Sequence, residues 1–417
     1  MCMRSMRGLA TLPAAIMLTA CIGGSGKGTG TGVVSTPPVQ NTTASTVDSG
    51  PAGATGAINH GYVTVKVCVP GSQTQCASID HVLLDTGSSG LRLVRSVLAA
   101  RGVTLSAETD TAGRAIEECL GFNGGQTWGP VASADVFIAG ETASAVPVQV
   151  MDDTASGAPP PATCGANGTL INGILGFNAN GVLGVGVFAE DCGQNCVAAA
   201  TALPIYYGCT SAGVCTAENV SLAEQVTNVV VRFAADNNGV IVVLPNLINA
   251  NGDVTVSGEL IFGIATQSDN ALPATGLTVL GANPGGDFNA TFNGGSTVLP
   301  ALIDSGTDAY AFDDPTIPVC GAGSVASFVG YYCPAAAPQN AFVTVTGMGA
   351  NNASATVDFA IADPNSFVAN AAAFIDLAGG AGAKQFILGM PFFYGRKIYI
   401  GIEQRVSGSY TGPYYAY

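Results

Sequence analysis

Charge is what this chain has least of. Asp, Glu, Lys and Arg together make up 10% of its 417 residues, and 13 basic against 28 acidic residues give a net charge of −15. So few cations hardly assemble the basic surface that a phosphate backbone requires, which excludes nucleic acid as a partner. Histidine is limited to His60 and His81, and no cluster of residues has metal-ligand spacing, so the sequence implies neither a metal nor another cofactor. After the first twenty residues there is no apolar run long enough for a transmembrane helix. Helical bundles and coiled coils are disfavoured too, because 56 Gly and 22 Pro sit among 48% hydrophobic residues. That composition suits many short strands joined by turns.

The N-terminus is more specific. Arg4 and Arg7 precede LATLPAAIMLTA at 9–20, a charged region followed by an apolar one too short to stay in a bilayer as a helix. The tetrapeptide ending at Cys21 resembles the lipobox of bacterial lipoproteins. That resemblance implies a signal peptide over 1–20, lipidation at Cys21 and, with Ile22 rather than Asp next, sorting to the bacterial outer membrane, its face unspecified. Membrane attachment is then expected through the N-terminal lipid only. From 21 to 57 the chain is mostly Gly, Ser, Thr and Pro and reads as a flexible tether.

Of the 12 cysteines, ten follow Cys21. Eight fall in close pairs, Cys68 with Cys76, Cys192 with Cys196, Cys209 with Cys215 and Cys320 with Cys333, and Cys119 and Cys164 remain as a long-range pair. An even count in an exported chain reads as disulfides.

From residue 58 onward the pattern is strand-like. YVTVKVCVPGSQTQC at 62–76 alternates Val with polar residues and turns at Pro70-Gly71, which predicts a β-hairpin. Similar runs recur at 134–140, 239–246, 258–264, 341–349 and 397–403, and Ser221 to Glu224 reads as a capping box opening one short helix. No regular alternation of strands and long helices suggests a parallel sheet.

Two acids break this apolar pattern. Asp85 ends a hydrophobic run and opens DTGSS, and Asp304 does the same in DSGT. A lone buried carboxylate is unfavourable unless paired or neutralised, so the second copy suggests the partner of the first. The flanking matters: Asp48-Ser49-Gly50 has the same core without strand-like neighbours. Each loop is followed by a hydrophobic-hydrophobic-Gly element, ending at Gly184 in NGVLGVG and at Gly389 in FILGMPFF, while LINGILGF at 170–177 offers Gly176 as a competitor to Gly184. Two half-molecules of this kind predict an all-β, mainly antiparallel, bilobal protein, with lobes at 58–265 and 266–417.

On these residues the chain resembles the pepsin-like aspartic proteases, from about residue 58 to 403. The resemblance implies Asp85 and Asp304 as the catalytic pair and Thr86 and Ser305 as hydroxyls that interlock beneath them. It implies Ser88 and Thr307 as partners of the outer carboxylate oxygens, and Gly184 and Gly389 as supports behind the loops. Gly87 and Gly306 bring the backbone N–H groups close to the acids. Two adjacent carboxyls hold one proton between them, and the pair acts as base and acid on a bound water and a scissile carbonyl. A polypeptide substrate and a monomer are expected. In that family a β-hairpin flap carrying Tyr closes the cleft. Here Phe122 falls near that position without the hydroxyl, and Trp128, in the same segment, is a second lid candidate. Asp308, directly after DSGT, adds a negative charge near the pair or faces solvent.

Overall fold

The computed structural model describes residues 41–164, 168–198, 204–249, 251–380 and 384–417. The expected signal segment, Cys21 and the first part of the expected tether lie outside them. The described residues form one compact, all-β unit with two short α-helices, Arg95–Ala100 and Ile174–Phe177. Among the described residues no helix is long and apolar enough to cross a membrane.

The expected tether to residue 57 is shorter than its composition suggested. Thr42–Val47 is a strand that pairs antiparallel with all of Val256–Ile261 and begins a second pairing with Gly61–Cys68. The buried Asn41 anchors its start by donating from Nδ2 to the Phe262 carbonyl at 3.0 Å. The segment TTASTV is β-branched enough to hold a pleated conformation once a strand lies on each side. Asp48 then closes a turn by accepting from the Gly50 N–H at 2.9 Å.

The strand-like runs all form strands. Gly61–Cys68 and Cys76–Asp85 make the expected hairpin, in register at Cys68 and Cys76. Ser221 and Glu224 form a capping box, but over the single 3-10 turn Leu222–Glu224. The ten cysteines form the five expected disulfides.

The duplication is visible as topology. In the first half five strands lie in the order Glu141–Met151, Ser89–Val94, Gly181–Val185, Cys76–Asp85, Gly61–Cys68. In the second half the order is Ala378–Gly379, Tyr310–Ala311, Phe386–Leu388, Leu299–Ile303, Phe288–Phe292. Strand directions agree pair for pair, parallel, antiparallel, parallel, antiparallel. The parallel pairs are local exceptions in a mainly antiparallel protein, and they flank the acid loops.

The halves are not cut cleanly at 265/266. Strands Thr42–Val47, Val256–Phe262 and Gly239–Leu244 continue into Arg396–Gly401, Tyr414–Ala416 and Val279–Gly281 in one sheet. A second strut is the buried Asn59, at φ 53°. Its side chain donates to the carbonyls of Asp308 (2.7 Å) and Phe374 (2.8 Å) and accepts from Phe374 N–H (2.7 Å) and the Tyr394 hydroxyl (2.8 Å). Every hydrogen-bonding site of that amide is used, so first-half chain is fixed beneath the second acid loop.

Candidate active site

Each acid sits where a strand ends against a glycine. Asp85 is the last residue of Cys76–Asp85 and lies in parallel register with Gly184, which is also opposite Gly90 in the strand that leaves the loop. A Cβ on Gly184 would come within 2.8 Å of Ser88, so only hydrogen fits behind the loop. The competing Gly176 is in the helix Ile174–Phe177, packed against Ile171 instead. In the second half Gly389 follows Phe386–Leu388, and a Cβ there would lie 2.1 Å from the Ala309 carbonyl and 2.6 Å from that of Thr307.

The two loops are locked together by hydroxyls. Thr86 Oγ1 accepts from Ser305 N–H (2.9 Å) and donates to the Ile303 carbonyl (3.1 Å). Reciprocally, Ser305 Oγ accepts from Thr86 N–H (3.1 Å) and donates to the Leu84 carbonyl (2.6 Å). Both side chains are almost completely buried. Four bonds between residues 217 to 221 positions apart therefore set the separation of the acids.

Above this lattice the carboxyls are held alike. Asp85 accepts from Gly87 N–H (2.8 Å) on one oxygen and from the Ser88 hydroxyl (2.5 Å) on the other. Asp304 accepts from Gly306 N–H (2.7 Å) and the Thr307 hydroxyl (2.6 Å). The glycines have a reason beyond donating these bonds. A Cβ on Gly87 would lie 2.5 Å from Asp304 Cγ, and one on Gly306 would lie 2.7 Å from Asp85 Oδ1. Each glycine is thus the contact surface for the acid of the opposite loop. The Asp304 carboxyl is raised well above the usual carboxylate range, first by burial and then by the charge of Asp85, with which it shares a hydrogen bond. Two carboxyls so placed retain one proton as a pair.

The pair opens into a cavity of about 460 Å³. One wall is the tip of the hairpin Ala115–Phe122 and Gly125–Ile138, contributing Leu120, Gly121, Phe122 and Asn123, and the opposite wall carries Gln385 and Ile387. Phe122 is half-buried at this tip, with its ring edge-on to Phe177 at 5.0 Å. Trp128 is not a lid. It is 2% exposed, packs with Tyr207 and the Cys119–Cys164 disulfide, and donates from Nε1 to the Ala158 carbonyl at 2.7 Å. Alternation explains the error: an aromatic ring six residues from the tip, on the inner face of the hairpin base, has an apolar cluster to enter. Asp308 is half-buried rather than turned out to solvent. The Tyr331 hydroxyl donates to it, and burial raises its carboxyl above the ordinary range.

Sequence reasoning missed the buried ionic cluster in the first-half wall. Arg92, fully buried, donates from Nη1 to the Ser89 carbonyl (2.9 Å) and from Nη2 to Glu118 Oε1 (2.7 Å) and Asp191 Oδ2 (2.9 Å). The other Asp191 oxygen accepts from the Tyr206 hydroxyl at 2.6 Å, and Asp191 lines the cavity. One cation faces two carboxyls, and the Asp191 carboxyl is raised, first by burial and then by Glu118. An Arg inside an otherwise apolar strand, LRLV, was the available signal. Also missed was Tyr415, buried near both acids; burial and then the charge of Asp304 raise its phenol. Among the described residues Cys320, Cys333 and Asp363 are close enough to hold an ion, but the two sulfurs are joined as a disulfide.

No curated protein matches the sequence. Among solved structures the chain is similar to the aspartic proteinase from Irpex lacteus, at 16% identity and a TM-score of 0.43, over 90% of this chain and 96% of that one. Residues 37–417 match the profile of a family described as "Protein of unknown function (DUF3443)", and the chain belongs to that family.

Proposed function

We propose that the protein is an aspartic endopeptidase. The observation that carries this reading is the reciprocal Thr86–Ser305 lattice, which sets Asp85 and Asp304 side by side at the floor of an open cavity. In the reaction the pair holds one proton. The ionised carboxylate takes a proton from a water lying between the acids, and the water oxygen attacks the scissile carbonyl carbon. The protonated carboxyl of the pair donates to the carbonyl oxygen. Collapse of the resulting diol passes a proton to the leaving amine and regenerates the shared-proton pair. An extended polypeptide between the two walls is the substrate class that such a cleft accommodates. The N-terminal Arg4, Arg7 and Cys21 and the five disulfides support an exported lipoprotein as the setting.

A second reading, a peptide-binding or inhibitor protein without turnover, is favoured by Phe122, which puts no hydroxyl at the hairpin tip. One assay separates the two. Purified protein is expected to cleave an unfolded polypeptide at acid pH and to be blocked by a statine-type mimic. Asp85→Asn and Asp304→Asn should each reduce kcat/KM by roughly 10³-fold or more, the upper range for loss of general acid–base catalysis. Binding of the mimic without cleavage would establish the binder, and neither binding nor cleavage would overturn both readings.

A further inference from the structure

The hairpin over the cavity is tightly held at its base and loosely at its tip. The strand Ala115–Phe122 pairs with Tyr206–Cys209 only as far as Glu118, and the Cys119–Cys164 disulfide clamps the next residue. The other strand is held at Gln126, whose N–H donates to the Thr169 carbonyl at 2.9 Å and whose carbonyl accepts from Ile171 N–H at 2.9 Å. Beyond these points Leu120, Gly121 and Phe122 pair only with Thr127, Gln126 and Gly125 of the hairpin's own second strand. Directly beneath them lies Arg92, with its guanidinium carbon 5.8 Å from the centre of the Phe122 ring. That guanidinium is fixed by Ser89, Glu118 and Asp191, so the cation cannot move away from the ring. Breaking this buried network would leave a charge without its partner, so the cation is a rigid platform.

We infer that Arg92 is the positioning residue for closure of the hairpin tip, acting through its guanidinium charge on the face of the Phe122 ring. The inference rests on the peptidase reading for its consequence, retention of peptide over Asp85 and Asp304. It also accounts for the missing hydroxyl. A phenol would seek a hydrogen-bond partner, whereas Phe closes by the attraction between a cation and an aromatic face. Arg92 touches neither the reacting atoms nor the acids. Its effect falls on how long the tip stays down.

Phe122→Leu removes the ring at a half-buried site and leaves the ionic cluster intact, and Phe122→Trp restores a stronger face for the cation. Phe122→Leu is expected to raise KM and speed dissociation of the statine-type mimic about tenfold, with kcat changed less than about twofold, and Phe122→Trp to return both to the parent values. Arg92→Lys keeps the charge but loses the planar face and the fork that binds three acceptors. Combined with Phe122→Leu it should add nothing further. Multiplicative effects of the two substitutions, or an equal fall in kcat, would overturn the inference. Hydrogen exchange of the unliganded protein decides it without catalysis. Amides of 120–125 should exchange about fivefold or more faster in Phe122→Leu and at the parent rate in Phe122→Trp; unchanged exchange in Phe122→Leu sinks the platform. A parent protein that neither cleaves nor binds the mimic removes the peptidase reading, while the exchange result still stands or falls alone.

Discussion

The two halves hold their acids in the same way and differ in almost everything around them. Seven residues after Asp85 stands Arg92, the centre of a buried ionic cluster; seven after Asp304 stands Ala311. The first half is aliphatic, built from residues such as Val63, Val65, Val67, Ile79 and Leu84, and it carries four of the five disulfides. The second packs aromatic rings, with Phe312 stacked on Phe386 at 5.1 Å, Phe292 at 4.4 Å from Phe312, and Tyr310 on Phe359 at 4.4 Å. The shared part is what the proposed chemistry needs from both sides: an acid at a strand end, a glycine under the opposite acid, and hydroxyls that bridge the loops. The private parts serve one half only, a covering hairpin with its cation in the first and a stiff aromatic plug in the second.

If the shared skeleton matters as a crossed pair, its glycines should be as intolerant as each other. Gly87→Ala and Gly306→Ala each put a methyl against the opposite carboxyl, and each is expected to cost about a hundredfold or more in kcat/KM, because misplacement of the acids by about 1 Å is sufficient for that. Peptide cleavage by both variants, alongside circular dichroism to confirm folding, checks it. A large loss in one and none in the other would mean that only one half positions the pair.

Stability gives the next test of symmetry. Thr86→Val and Ser305→Ala each remove a buried hydroxyl that donates one bond and accepts another across the halves. Each is expected to destabilise by about 2–4 kcal/mol, since an unpaired buried polar group costs about 1–3 kcal/mol. The double variant should lose less than the sum, because the two side chains share one lattice. Denaturant unfolding of the three variants measures this, and strict additivity would show the hydroxyls to be independent.

The smallest expected effect concerns charge buried in the first half alone. Burial raises the Glu117 carboxyl to about 8, with Arg95 opposing and Asp152 adding to the shift. The folded state therefore keeps a proton that the unfolded chain releases near the ordinary value of 4.5. That contribution to stability is fully present below pH 4.5 and is lost as pH rises through about 8. Melting temperature should fall over this window, and Glu117→Gln should flatten the decline by roughly 3 °C. Calorimetry from pH 4 to 8 reads the slope, and an equal slope in parent and variant would place the titration elsewhere.

Much of this was legible in the linear chain. Strand-like runs on both sides of Asp85 and Asp304, a hydroxyl residue after each Gly, and closely spaced cysteines are local patterns, and local patterns survive in sequence. Period-two alternation located the main strands for the same reason. Thr42–Val47 escaped because a run of Thr, Ala and Ser resembles a linker until partners on both edges satisfy its backbone. Trp128 misled because proximity to the hairpin tip in sequence says nothing about which face of the hairpin a ring enters.

Sequence by itself determined the two acid loops and the residue types that serve them, and the close spacing of eight cysteines pointed to four of the five disulfides. Only the tertiary structure decided that Gly87 and Gly306 lie under each other's acids, that Gly184 rather than Gly176 backs the first loop, and that Arg92 meets Glu118 and Asp191 from 26 and 99 residues away. The physical reason is the range of the interaction. A turn or an alternating strand is specified by neighbours along the chain, whereas a buried cation or a glycine without room for a methyl is specified by whatever the fold brings against it.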